Sequence, residues 1–250
     1  MPHAVVSFVS FVLLTSSLAA ADGRFLDLLR KESAVLPDEC RAPVAREEVR
    51  DALPGRDVDL SNGLRVSLPG EWAVELVSQD VENSLSKWTI SLPAGRATLV
   101  INAKLRSDEA RSHEEVVEIV GRHQANPEQF LKAFASDLSF FDYVNSLTVE
   151  SVLSAPEKDR EMLAEMLYRL RTTSPKVMYH RRLAGPRATV YLNQVIQRDK
   201  HAVVLFRLFD QEGKSVLGGS LLTDGEKPGA ILETLIKQIV ATAKAGGGDR

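Results

Sequence analysis

The chain has 250 residues, 44% of them hydrophobic and 26% charged. This is globular composition, and it excludes a disordered tail, a collagen-like repeat or a small disulfide-stapled scaffold. Lys plus Arg number 31 and Asp plus Glu 34, a formal net charge of −3, so nothing implies a basic surface built for nucleic acid.

The first 21 residues hold no Asp, Glu, Lys or Arg. Ala4 to Leu18 are apolar or small and hydroxylated, and Ala19-Ala20-Ala21 follows, which is the pattern of a secretory signal peptide cleaved after Ala21. A membrane span needs about 20 apolar residues; this run is shorter and contains five Ser or Thr. The expectation is an exported protein, periplasmic or secreted, with no transmembrane span after cleavage. No cysteine stands at the boundary to take a lipid. The one cysteine, Cys40, excludes an intramolecular disulfide and reads as an unreactive thiol.

Residues 22–60 read as an N-terminal extension. Phe25, Leu28 and Leu29 have helical spacing, and a short helix fits Ala45 to Leu53 between prolines. From residue 61 the pattern changes to strands. Leu64, Val66 and Leu68 alternate with polar residues before a Pro69-Gly70 turn. Further strands are expected at Glu71–Val77, led by Trp72, at Ser86–Leu92 and at Ala97–Leu105.

After Ser107 the period becomes helical. Ser112-His113-Glu114-Glu115 forms a capping box before Val116, Val117, Ile119 and Val120. Asn126-Pro127 opens a second helix, in which Phe130, Leu131, Phe134, Leu138 and Phe141 fall within an arc of about 100°. Leu147–Leu153 fits a strand. Glu161–Arg171 fits both periods, and the strand-rich neighbourhood favours a strand. Strands follow at 188–198, 201–209 and 215–222, the middle one apolar on both faces except at Arg207. A last amphipathic helix starts at Pro228, and 246–250 reads as a disordered tail. The fold class is α+β: one domain over 61–245, with a largely antiparallel sheet flanked by amphipathic helices.

Catalytic signatures are missing from the sequence. His113 and His123 are ten residues apart, a rotation of about 280° on a helix, and no H-E-x-x-H, paired-Cys or EF-hand spacing exists. There is no G-x-S-x-G elbow and no phosphate-cradling fingerprint. Gly218-Gly219 inside a strand reads as a bulge or a close approach. No catalytic residue, metal ligand or cofactor site is therefore assigned. The candidate docking group for an anion or partner is Lys176, Tyr179, His180, Arg181, Arg182 and Arg187, in a stretch free of acids that Pro175, Gly185 and Pro186 make loop-like. The plainer reading is that its arginines meet acids elsewhere in the fold.

The order of elements, with the segment NGLRVSLPGEWAV at 62–74, resembles PsbP-like and DcrB-like domains over about residues 60 to 245. That resemblance implies an α/β/α sandwich and a mostly non-enzymatic exported or peripheral protein. No functional residue carries over, and 22–60 and 172–187 depart from the compact pattern. The expectation is a soluble binding or assembly factor of the cell envelope acting on a protein partner. The alternative is a small-ligand-binding protein or hydrolase with a cleft near 172–187, holding His180, His201 or paired acids.

Overall fold

The computed structural model describes residues 24–32, 43–60, 64–102, 115–123, 125–172, 179–193, 196–198 and 200–245. The leader, Cys40, the capping box at 112–114, Lys176 and the 246–250 tail lie outside the described residues.

The protein is α+β, with a mixed, mostly antiparallel sheet. In chain order the strands are β1 Ala45–Glu48, β2 Arg56–Asp59, β3 Leu64–Leu68, β4 Ala73–Asp80, β5 Leu85–Leu92, β6 Gly95–Asn102, β7 Tyr179–Ala184, β8 Thr189–Asn193, β9 Ile196–Arg198, β10 His201–Phe209, β11 Ser215–Gly225 and β12 Lys244–Ala245. The helices are α1 Arg24–Glu32, α2 at 115–122, α3 Pro127–Lys132, α4 Asp137–Ser146, α5 Val149–Ser154, α6 Glu157–Met166 and α7 Pro228–Thr242. A π-helical turn, Leu167–Thr172, continues α6. The main sheet runs β1-β7-β8-β10-β11-β6-β5-β4, with β9 pairing on β10, and a second sheet runs β12-β3-β2. Only the short β1–β7 pair is parallel among the described pairings.

Three layers follow from the alternation of side chains along each strand. One sheet face, with Val204, Phe206, Leu208, Leu99, Leu221 and Leu217, packs with the small sheet and with Leu232, Leu235, Ile236 and Ile239 of α7. Gln238 is buried there, yet its amide is fully used. It accepts from Leu53 N (2.8 Å) and donates to Leu53 O (2.9 Å) and Ser67 O (2.8 Å). That satisfaction lets a polar residue sit in the interior of the helix contact without a desolvation penalty. On the opposite face, Tyr191 and Phe209 meet Leu138 and Phe141 of α4, with Val44 beside them. The remaining helices form their own apolar cluster, including Leu29, Val116, Ile119, Phe140, Val152, Met166 and Leu167.

Five sequence expectations are corrected. Residues 45–48 are a strand on β7, not part of a helix. Glu47 is fixed there by Arg181 and Lys237, long-range partners that local spacing does not reveal. The expected helix across 126–141 is two helices. Ser136 caps α4 by accepting from Ser139 N, and the Ser139 hydroxyl accepts from Ser136 N in return. The apolar arc is thereby divided: Phe130 and Phe134 join the helical cluster, and Leu138 and Phe141 turn to the sheet. Residues 149–154 are helical rather than extended, because Thr148 and Ser151 make the same reciprocal cap. Glu157–Met166 is helical as well, with Met162 and Met166 buried one turn apart. The expected 188–198 strand is divided into β8 and β9.

Candidate interaction surface

The stretch expected to be a loop is largely strand β7, held between β1 and β8. Arg181 donates through Nη1 to Glu233 Oε2 (2.7 Å) and through Nη2 to Glu47 Oε2 (2.6 Å) and Glu233 Oε1 (2.9 Å). Lys237 closes the ring at 2.6 Å from Glu47 Oε1 and 3.1 Å from Glu233 Oε1. The two cations and two carboxylates cancel, and they tie β1 and β7 to α7. The Arg181 hydrogen bonds, helped by Lys237 and opposed by burial, draw the Glu233 carboxyl down to about 2. Lys237 and then Arg181 hold Glu47 below the usual carboxylate range.

Arg182 points to the other face and donates through Nε to Asp142 Oδ1 (2.8 Å), which also accepts from the Tyr191 hydroxyl. Burial first, and Asp142 second, push the Tyr191 phenol far up, so it remains a proton donor to Asp142. Two of the six candidate docking residues are thus engaged inside the fold, as the plainer reading held. Arg187 is exposed beyond the end of β7, and the side chains of Tyr179 and His180 lie outside the described residues.

Other ionisable groups also have structural partners. Glu165, 2% exposed, accepts from Arg122 at 2.6 Å and meets His123 Nε2 at 2.9 Å and Arg169 at 3.4 Å. His123 is half-buried against this carboxylate. His201 Nδ1 lies 2.5 Å from Asp224 Oδ1 with both side chains exposed, not in a deep cleft. Among the described residues no group of three or more His, Cys, Asp or Glu could hold a metal ion, and no helix is long and apolar enough to cross a membrane.

No family model, curated protein or solved structure matches the chain. The reading of a site rests on the chain's own geometry.

That geometry singles out the β4 end of the main sheet. Cross-strand register aligns Val204, Leu221, Leu99, Trp88 and Leu76 in one row on the α7 face. The first three are buried and Trp88 half-buried, but Leu76 is 42% exposed, so the apolar row ends uncovered at the edge. Val77 (49%) and Val81 (78%) are exposed beside it. On the opposite face, β10 is open at one end. Phe209 and Arg207 of β10 are covered on that face, whereas Leu205 is 36% exposed. The expectation that β10 is covered on both faces therefore holds for one end only. Sequence reading missed this surface, because an edge is defined by pairing. The acids of 71–82, set among apolar residues, were its one local sign.

Proposed function

We propose that this is an exported, non-catalytic binding or assembly factor of the cell envelope that acts through protein contacts at the β4 end of its sheet. The observation that carries the reading is the apolar row that leaves the core and stops, uncovered, at Leu76. Monomeric proteins rarely leave contiguous apolar surface open, and such patches are a mark of interaction sites. The leader at 1–21 and the PsbP-like order of elements support the export and binding parts of the proposal. The engagement of Arg181, Arg182, Glu47 and Glu165 by structural partners is consistent with a scaffold rather than a reaction centre.

Two measurements test it. Mass spectrometry of the protein recovered from the envelope fraction should find Asp22 at the amino terminus, and a retained leader would contradict export. A photo-crosslinking residue at Val77 should give one saturable adduct with an envelope protein, competed by excess unlabelled chain. A crosslinker at exposed Arg30 should not, and equal labelling from both positions would remove the proposed site.

A further inference from the structure

A strand at the edge of a sheet presents unpaired backbone N–H and C=O groups, and proteins blunt such edges with short strands, lysines, prolines or bulges. Among the described residues, the other edges follow this rule. β1 is four residues, AREE; β2 is four, RDVD; β12 is two. β4 does not: it runs for eight residues, AVELVSQD, with no Lys or Pro. Its protective devices are the acids Glu75 and Asp80 and an irregularity between Leu76 and Ser78, which leaves the stretch from Ala73 to Leu76 in regular register with Ser91 to Trp88.

The two faces of this edge differ. Val74 and Leu76 continue the rows of Ile90 and Trp88 on the α7 face. Glu75 pairs with Thr89 and lies on the opposite face, with the row Thr98, Leu222 and Val203. The charge of the hairpin is one-sided: residues 71–87 carry Glu71, Glu75, Asp80 and Glu82 against Lys87 alone, and all five are exposed. An antiparallel second copy would bring this acidic hairpin against its own like charge.

Resting on the proposed binding role and naming its partner's chemistry, we infer that β4 accepts an added strand from another polypeptide whose side chains alternate apolar and basic. The apolar positions would extend the rows that end at Val74 and Leu76, and a Lys or Arg between them would meet Glu75. Backbone pairing supplies the affinity in strand addition, and the alternate side chains supply the choice of partner.

The test uses the full mature chain and fluorescein-labelled ten-residue peptides read by anisotropy. A peptide alternating Val and Lys should bind at least tenfold more tightly than one alternating Val and Glu. It should also bind at least tenfold more tightly than one with five Lys followed by five Val. Leu76→Lys, which puts a charge on the edge, and Glu75→Lys should each weaken binding of the alternating Val-Lys peptide at least tenfold. Leu205→Lys, on the open face of a central strand, should leave it within twofold. Unchanged melting of the two edge variants by circular dichroism confirms that they are folded. Equal binding of the alternating and block Lys peptides would overturn strand addition. Loss of binding in Leu205→Lys alone would overturn it too, while leaving a protein-binding role at the open face intact. A dimer of the wild-type chain by light scattering that Leu76→Lys dissociates would make a second copy the occupant and overturn the inference.

Discussion

Tyr191 shows how a single side chain joins two layers. Its ring lies 5.0 Å from Phe141 and 6.2 Å from Phe209, and its hydroxyl reaches Asp142 on α4. Tyr191→Phe keeps the ring and removes one hydrogen bond to a carboxylate, so stability should fall by about 1.5–3 kcal/mol in urea unfolding. Glu165 is the buried counterpart in the helical cluster. Glu165→Gln removes the buried carboxylate that Arg122 and Arg169 share, and a loss of about 1–3 kcal/mol is expected. Glu118→Gln removes an exposed partner of the same two arginines, and its cost should stay below about 1 kcal/mol. Equal costs would mean that burial of Glu165 is not what matters. The Arg181 ring gives a pH prediction with a definite sign. Glu233 titrates at about 2 when folded against an ordinary 4.5, so its stabilising contribution is complete above about 4.5 and is lost as pH falls toward 2. The stability difference between wild type and Glu233→Gln should therefore shrink across that window and be flat from pH 6 to 8. Because the carboxylate is partly exposed, added salt should reduce the difference.

Among the elements, the strands were more legible than the helices. Leu64–Leu68, Leu85–Leu92, His201–Phe209 and Ser215–Gly225 could be read because one or both faces are buried and alternation is a direct image of that burial. Helix α7 could be read because its apolar face matches the packed face over fifteen residues. Helices α4 and α5 were misread because their starts depend on single hydroxyls. Ser136 starts α4 and Thr148 starts α5, and neither interrupts the apolar spacing. Ser136→Ala should cost about 1 kcal/mol and should increase amide exchange in the first turn of α4. Unchanged exchange there would show that packing alone sets the boundary. Gly218-Gly219 was read as a bulge or a close approach, and the approach is real at Gly219. A Cβ there would stand 2.1 Å from Val100 O and 2.9 Å from Phe206 Cζ. Gly219→Ala should therefore destabilise the β6–β11 pairing, by about 1–3 kcal/mol. The candidate docking group was half legible. The density of Arg in 176–187 signalled an ionic function, but the acids that answer it, Glu47, Asp142 and Glu233, come from β1, α4 and α7.

At the level of the molecule, the sheet is asymmetric. Its β1–β7–β8 end is locked to α7 by four charges on one face and to α4 by aromatic rings on the other. Its β4 end carries no such covering over Leu76 and Val77. On the proposed reading, the locked half fixes the geometry and the open half receives the partner. The edge could not be foreseen from the sequence, since which strand is last in a sheet depends on pairings between residues more than a hundred positions apart, as between Ile101 and Gly219, and not on its own residues. Hydrogen exchange along Ala73–Asp80, with and without the alternating Val-Lys peptide, asks whether that open half is where binding occurs. The outward amides of β4 should exchange quickly in the free protein and become at least tenfold slower in the complex, with α7 and β8 unchanged. Slow exchange of every β4 amide in the free chain, or protection that arises on β7 instead, would contradict the account.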